Sequence, residues 1–402
     1  MKVLVLNSGS SSIKCKFFVD HERYFSAIID GIGLELCTFR SNYNYQDIKE
    51  KCNVLTHSEA LKLILDKLLH AGFVDNLDEI DAIGHRVVHG GELYHDSVLI
   101  DDEVMNNIDY LSEFAPLHNP HNLSGIKACH DLLPNRPQIA VFDTSFHAKI
   151  PKKNYMYAIP NYYYNENKIR KYGFHGTSFK YITEQVKKHF KDIEKLIICH
   201  IGNGSSVCAV EREVCVDTSM GFTPLQGLIM GTRSGDIDPS IVEFLSELEE
   251  KKYNRKFSVQ EIIEILNKKS GLKGITGKSD MREIWNDVLK KDNSEECEKA
   301  KLAIDMLVNS LLKYISYYIT QLQGVDAIVF TAGIGENAYY LREKVIKQLN
   351  FLGIKLDFDR NKENGKNSDH KITTDDSKIK VLVIPTNEEL MISKEVERIV
   401  LK

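Results

Sequence analysis

Two arginines beside glycines are the residues best suited to bind a small anionic substrate. Arg86 ends an apolar run just before a glycine pair, and Arg233 lies in the segment Gly-Thr-Arg-Ser-Gly. A guanidinium group can bind two oxygens of a carboxylate or phosphate at once because its donors form a planar fork. A lone arginine more often forms a surface ion pair. Here the flanking glycines would let a ligand approach, which favours anion binding.

Two glycine- and serine-rich turns are suited to holding phosphate groups. The first contains Gly9 and the second Gly204, and each joins two short apolar runs. Glycine lets backbone N–H groups converge on phosphate oxygens, and serine adds a hydroxyl donor. We therefore predict two β-hairpins, with Lys14 lying across the first one from Asn7, where a cation could reach a phosphate. Neither turn matches the P-loop motif.

The separation of these two turns suggests an internal repeat. Gly9 and Gly204 lie about half of the 402-residue chain apart. One such turn would more often be an ordinary hairpin, whereas two at equivalent places indicate a duplicated domain. Chance similarity of glycine turns is the alternative explanation.

The elements that would position these residues follow an α/β pattern. A helix is predicted over residues 300–322, where apolar residues recur at the spacing of one helix face. A third glycine segment at Gly333 and Gly335 follows a predicted strand and precedes a helical pattern, which is typical of an anion-binding turn. Strands alternating with helices indicate an α/β architecture. Strands are predicted at residues 2–6, 80–88, 138–142, 195–200, 326–331 and 380–385.

Acidic and histidine residues near these elements are candidates for catalysis and metal binding. Asp143 ends a predicted strand, and His175 lies between glycines. Thr386 and Glu389 have capping-box spacing, which gives Glu389 a structural role and leaves Glu388 free to bind a metal. Mg²⁺ prefers carboxylate and amide oxygens. The histidine pairs elsewhere in the chain lack the third ligand of a zinc motif.

The composition excludes several classes of protein. The formal net charge is -5, so no overall basic character would attract nucleic acid. No apolar run is long enough for a signal peptide or a membrane span. The eight cysteines include no Cys-x-x-Cys pair, which predicts free thiols and a cytoplasmic location.

Together these segments resemble the acetate kinase family, in the family's order and over nearly the whole chain. The resemblance implies two duplicated actin-like (ribonuclease H-like) α/β domains with an active-site cleft between them. Residues 1–148 and 385–402 would form the N-terminal domain, completed by the C-terminal helix, and residues 149–384 the second, nucleotide-binding domain. The family also implies a homodimer. The most specific segments are residues 7–14, 84–91, 142–147, 172–178, 200–206, 217–239 and 331–337.

The same resemblance implies an activity: reversible, Mg²⁺-dependent transfer of the γ-phosphoryl group of ATP to acetate, giving acetyl phosphate and ADP. Mn²⁺ would be able to substitute for Mg²⁺. The implied metal-binding residues are Asn7 and Glu388. The implied catalytic residues are Asp143 as acid/base, with His175 and Arg233 stabilising the transferring group.

The remaining implied roles concern the two substrates. Arg86 would hold the substrate carboxylate. The pocket for the acetate methyl group would contain Val88, Leu117, Phe174 and Pro224. The nucleotide would be bound by Lys14, His200, Ile201, Gly202, Asn203, Gly204, Asp280, Met281, Arg282, Gly333, Ile334, Gly335, Glu336 and Asn337.

Alternatives remain within and outside this class. Propionate kinase shares these motifs and differs in pocket volume, and one methylene is worth only ~1–3 kcal/mol of discrimination. An actin-like ATPase of structural or chaperone type should lack the two glycine-flanked arginines. A sugar kinase should offer polar residues for hydroxyl groups instead.

The acid/base role of Asp143 is open to a physical objection. A carboxylate acceptor is already ionised at neutral pH, because such acids have a pKa of about 4–5. No base is needed to create it, so Asp143 is predicted to position groups such as Arg86.

Overall fold

The computed structural model describes residues 1–43, 46–290 and 294–402. Within these ranges the strands are β1 (Lys2–Ser8), β2 (Ser12–Val19), β3 (Glu22–Asp30), β4 (Cys37–Tyr43), β5 (Gln46–Cys52), β6 (Ala82–Val87), β7 (Val98–Leu99), β8 (Gln138–Phe142), β9 (Lys195–Ile201), β10 (Ser205–Glu211), β11 (Val214–Thr218), β12 (Ala327–Thr331) and β13 (Lys380–Val383).

The helices vary widely in length. They are α1 (His57–His70), α2 (Asp102–Tyr110), α3 (Asn119–Leu132), α4 (Lys152–Tyr155), α5 (Tyr162–Asn167), α6 (Gly176–His189), α7 (Ser240–Tyr253), α8 (Val259–Lys268), α9 (Gly271–Thr276), α10 (Met281–Leu289), α11 (Glu295–Gln321), α12 (Ala332–Asn337), α13 (Tyr339–Gln348), α14 (Phe358–Lys362) and α15 (Glu388–Val400). No helix of the described residues combines the length and apolar character needed to cross a bilayer.

The chain divides into two compact units. The first contains Met1–Ala148, Phe174–Tyr181 and Asn387–Lys402. The second contains Lys149–Gly173 and Ile182–Thr386. The first unit therefore includes the start of α6 and all of α15.

The sheet of the first unit has the strand order β5-β4-β3-β2-β1-β6-β8-β7. β1, β2 and β3 form an antiparallel meander, and β6 and β8 continue the sheet parallel to β1. The first glycine turn joins β1 to β2, and the register places Asn7 opposite Lys14. The predicted hairpin is thus present.

The sheet of the second unit repeats this arrangement. Its order is β11-β10-β9-β12-β13, with an antiparallel meander in β9, β10 and β11 and two further strands parallel to β9. The second glycine turn joins β9 to β10. Since the two sheets share the same order and directions of five strands, the topology agrees with the predicted repeat.

Helix α15 packs closely on the sheet of the first unit. Its Ile392 and Val396 join Val3 and Val5 in one buried cluster. A Cβ atom at Gly84 of β6 would lie 2.6 Å from Ile392 Cγ2, closer than real Cβ contacts. Glycine at this position therefore lets the helix approach the strand.

The local signals in the sequence account for the strands that flank the glycine turns and for the longest helix. All six predicted strands are present, and the helix predicted over residues 300–322 corresponds to α11, which ends one residue earlier at Gln321. Ser294 caps α11 by accepting a hydrogen bond from the backbone N–H of Cys297. Acidic residues occupy the first turn, where their negative charge interacts favourably with the helix dipole and stabilises the helix. One secondary-structure prediction was wrong: the segment Ala332–Asn337 forms the short helix α12 and not an open turn.

The prediction of free thiols holds for six cysteines and is wrong for two. Cys37 and Cys52 form a disulfide and are direct partners in the register of β4 and β5. Their Cα atoms lie 5.1 Å apart because the hairpin returns the chain to itself. The six free cysteines are all buried.

Candidate active site

The candidate carboxylate-binding arginine is fixed by an aspartate. Arg86 of β6 donates from Nε to both carboxylate oxygens of Asp143, each at 3.1 Å, and from Nη2 to Oδ2 at 2.6 Å. The Asp143 side chain is 2% exposed and that of Arg86 22%. No described residue accepts a hydrogen bond from Nη1 of Arg86. Asp143 thus occupies one edge of the guanidinium group and leaves donors on the other edge.

Glu388 lies close enough to this pair to be affected by it electrostatically. Burial raises the pKa of Glu388 to about 7, an effect that Arg86 opposes and the charges of Asp143 and Glu389 reinforce. The charge of Lys14, which faces Asn7 across the first hairpin, also opposes the rise in the pKa of Glu388. The structure therefore brings these predicted residues together around the carboxyl ends of β1, β6 and β8.

The start of α15 differs from the predicted capping box. Asn387, not Thr386, caps the helix by accepting from the backbone N–H of Leu390 at 3.2 Å. Glu389 does have a structural role, but a different one: its carboxylate accepts from Lys16 Nζ at 2.8 Å. This ion pair ties the first turn of α15 to β2 and so places the neighbouring Glu388. Sequence spacing could not reveal the pair because its members are 373 positions apart.

His175 lies in a strained turn just before α6. Its φ of 60° is unusual for a residue other than glycine. The next residue, Gly176, donates its backbone N–H to the carbonyl oxygen of Asp143 at 2.9 Å. A Cβ atom at Gly176 would lie only 2.2 Å from that oxygen, so the turn requires glycine here. His175 is consequently attached, through its neighbour, to the residue that holds Arg86.

The residues of the predicted apolar pocket differ in their exposure to solvent. Val88 and Phe174 are buried, whereas Leu117 is 59% exposed. The ring of His89 contacts those of Phe114 and Phe174, with centroids 5.6 and 5.7 Å away. This aromatic contact fixes Phe174 and was not evident from the sequence.

In the second unit, most predicted nucleotide-binding residues line one cavity of about 860 Å³. The predicted lining residues are Gly202, Asn203, Asp280, Met281, Arg282, Gly333, Ile334 and Asn337. Ile201 does not contribute, because its side chain belongs to the buried core of this unit. Asp280 caps α10 and also binds the guanidinium group of Arg282 at 2.6 Å.

Sequence reasoning missed an aromatic pair in this cavity. Trp285 and Tyr340 stack with ring centroids 3.7 Å apart and planes 4° from parallel. Both line the cavity, beside Asn286 and Ser279. Trp285 lies on the amphipathic helix α10. In the sequence, its spacing from the other apolar residues of the helix indicates only that it packs in the core.

Helix α12 is held in place by an arginine that sequence reasoning also missed. Arg342 is fully buried and donates from Nη1 to the carbonyl oxygens of Gly335 and Glu336, both at 2.8 Å. Its other nitrogens bind Asn361 and Asn364. Burial lowers the pKa of Arg342 to about 10. The arginine satisfies carbonyl groups at the end of the short helix and fixes the glycine segment.

Arg233 lies in a turn that is secured by backbone hydrogen bonds. The backbone N–H of Met230 donates to the Arg233 carbonyl at 3.1 Å, and that of Gly231 to Asn203 at 3.0 Å. The guanidinium Nη1 donates to the carbonyl oxygen of Pro224 at 3.2 Å. Burial lowers the pKa of Arg233. The turn is thus joined to the glycine turn after β9.

The two sheets share five strands in the same order, and each has a glycine turn. Together with the glycine-lined cavity, they are typical of an α/β protein that binds phosphate groups. Residues 2–394 match the model of the Acetokinase family, and the chain belongs to this family. It is therefore a kinase with a carboxyl group as acceptor.

Relatives cover the chain from end to end. An acetate kinase of Thermotoga petrophila is 50% identical over 411 residues, which span 100% of this chain and 99% of that protein. An acetate kinase of Caldicellulosiruptor saccharolyticus is 49% identical over 412 residues, with 100% of both chains covered.

Solved structures agree in fold. The Porphyromonas gingivalis acetate kinase superposes with a TM-score of 0.90 at 38% identity, over 99% of each chain. A propionate kinase of Francisella tularensis gives a TM-score of 0.91 at 39% identity, also over 99% of each chain.

Proposed function

We propose that this chain is an acetate kinase that reversibly transfers the γ-phosphoryl group of ATP to acetate, forming acetyl phosphate and ADP. The observation that carries the proposal is the partly buried pair of Arg86 and the buried Asp143. In a member of this family, a guanidinium group with one edge held by a carboxylate and free donors on the other suits a small carboxylate substrate.

The nucleophile needs positioning more than activation. A small carboxylate is ionised at neutral pH, since its pKa is about 4–5. Arg86 would bind and orient it, while Asp143 fixes the arginine. Val88, Leu117, Phe174 and Pro224 are proposed to surround the methyl group. The transferring phosphoryl group carries charge on its equatorial oxygens, which His175 and Arg233 would stabilise.

We propose Asn7 and Glu388 as the residues that hold Mg²⁺, with Mn²⁺ as a substitute. An amide oxygen and a carboxylate are hard donors of the kind this cation prefers, so the donor set fits. When bound with the nucleotide, the ion neutralises phosphate charge. The nucleotide itself is proposed to occupy the glycine-lined cavity of the second unit, assisted by Lys14, His200 and Gly204.

The test is an acyl phosphate assay with ATP, Mg²⁺ and acetate, with products trapped as hydroxamates. We expect acetyl phosphate from the unmodified protein and at least a tenfold loss of kcat/KM for acetate in Arg86→Ala, from the loss of charge-assisted hydrogen bonds worth ~1.5–3 kcal/mol. Arg136→Ala is the matched control, because Arg136 is 23% exposed against 22% for Arg86 and also pairs with an aspartate, Asp78. ATP hydrolysis without any need for a carboxylate would refute the proposal and favour an actin-like ATPase.

Propionate is the second candidate acceptor. The Francisella tularensis structure named as a propionate kinase superposes as well as the acetate kinase structures do. Parallel assays with acetate, propionate and butyrate distinguish the two, and a higher kcat/KM for propionate would identify the longer acid as the substrate.

We further propose a homodimer in the cytoplasm, with the two units acting as duplicated domains. Family membership and the six buried free thiols support a reducing compartment. The disulfide between Cys37 and Cys52 does not favour a reducing compartment. Sedimentation of the purified protein tests the dimer.

A further inference from the structure

A lysine in the helix after His175 reaches a carboxylate on α15. Lys180 Nζ lies 2.7 Å from Glu395 Oε1. Lys180 is one helical turn beyond Gly176 in α6, and Glu395 belongs to the helix that begins at Glu388. All these residues are in the first unit. The ion pair therefore joins the helix after a proposed catalytic residue to the helix that carries a proposed metal ligand.

Glu395 is the centre of a buried cluster of donors. Its side chain is 3% exposed and accepts from Ser97 Oγ at 2.8 Å and from Arg398 Nη2 at 2.6 Å. Burial alone would raise the pKa of Glu395, but these donors and Lys180 outweigh it and hold the pKa at about 2. The carboxylate thus stays charged at neutral pH.

The segment around His175 is also attached to residues that follow β8. Gly176 donates to the Asp143 carbonyl at 2.9 Å, and the His147 ring nitrogen Nε2 lies 3.0 Å from the Phe174 carbonyl oxygen. Both attachments are on the side of β8. Thr177 Oγ1, in the first turn of α6, also lies 3.5 Å from Asp143 Oδ1, and the Phe179 ring contacts that of His147 with centroids 5.7 Å apart. Lys180 differs from these attachments because it joins α6 to α15.

The two cations on Glu395 differ in what they connect. Arg398 lies three residues after Glu395 on the same helix and also pairs with Asp96 at 2.6 Å, so it links α15 to the segment before β7 and not to α6. Lys180 comes from a different helix. Their side chains are similarly exposed, at 32% and 34%. The chain therefore contains its own control for separating stability from positioning.

We propose that Lys180 and Glu395 are positioning residues for phosphoryl transfer. Their ion pair holds the turn that contains His175 in a fixed position relative to the first turn of α15, which contains Glu388. The inference rests on the function proposed above. A displacement of about 1 Å in a catalytic group can cost ~10²-fold in rate. The pair acts through His175 and does not touch the reacting atoms.

The experiment compares Lys180→Met, Arg398→Met and Lys180→Arg for kcat, KM of each substrate and Tm. Both methionine variants should lower Tm, because each removes one cation from the same buried carboxylate. Lys180→Met should lower kcat by about 10- to 100-fold, with KM for ATP within about twofold. Arg398→Met should retain kcat within about twofold, and Lys180→Arg should recover most of the loss.

Equal kcat losses in the two methionine variants would reduce the pair to a stabilising contact and overturn the proposal. Hydrogen exchange of the peptide covering residues 174–181 provides a readout that needs no turnover. Exchange there should speed up in Lys180→Met and not in Arg398→Met, and equal rates would also overturn it. An unmodified protein that makes no acyl phosphate would refute the proposed function instead.

Discussion

Replacing Asp143 with asparagine separates positioning from proton transfer. The substitution keeps the shape and one acceptor oxygen but removes the charge that binds Arg86 through three contacts of 2.6 to 3.1 Å. A charge-assisted hydrogen bond contributes about 1.5–3 kcal/mol. Loss of that amount corresponds to a decrease of ~10- to 150-fold in kcat/KM for acetate. The decrease should be similar at every pH, because acetate needs no base.

The assay is the rate of acyl phosphate formation between pH 6 and 9 for the unmodified and Asp143→Asn proteins. Asp217→Asn serves as the control, because Asp217 is also 2% exposed and paired with a lysine, Lys171, but has no proposed role in the reaction. Both variants should be less stable, and only Asp143→Asn should lose kcat/KM for acetate. If the deficit disappeared at one end of the pH range, Asp143 would be a proton-transfer group and the positioning argument would be wrong.

Three further outcomes are expected. Arg233→Ala should lower kcat by about 10³-fold, as loss of a charge-stabilising arginine does in other phosphoryl-transfer enzymes, and an unchanged kcat would exclude its proposed role. Trp285 is the only tryptophan in the sequence and stacks on Tyr340 in the cavity. ADP should therefore change its fluorescence, whereas a titration with no change would argue against nucleotide binding there. Burial lowers the pKa of His85 from 6.5 to about 4, although its hydrogen bond to Gln138 opposes the shift. The unfolded chain then takes up the proton first, so His85 should cost about 3 kcal/mol of stability as the pH falls from 6.5 to 4. Denaturant unfolding of His85→Asn should be less sensitive to pH over this range, and an unaltered slope would contradict the assignment.

Local patterns in the sequence were enough to predict six strands and both glycine-turn hairpins. A strand buried on both faces needs a continuous apolar run, and a hairpin needs a small-residue turn, so both signals lie within a few residues of each other. The opposition of Asn7 and Lys14 followed from the hairpin alone. The roles assigned to the site residues stay predictions.

Contacts between distant side chains could not be predicted in this way. The ion pair of Lys16 with Glu389 and the disulfide of Cys37 with Cys52 depend on how strands and helices meet. In the sequence, nothing distinguishes Arg342 from a charged residue on the exposed face of a helix. Only the fold reveals that it is buried and binds carbonyl groups of α12.

The packing of α15 on the first sheet has a consequence for the order of folding. A ribosome makes β1, β6 and β8 long before α15, so the apolar face that includes Val3, Val5 and Val141 stays exposed until Ile392 and Val396 emerge. Exposed apolar surface of this kind favours aggregation and chaperone binding. Glu388 arrives on the same late segment. A nascent chain would therefore gain the second of its two proposed metal ligands and the cover of its first sheet in one step.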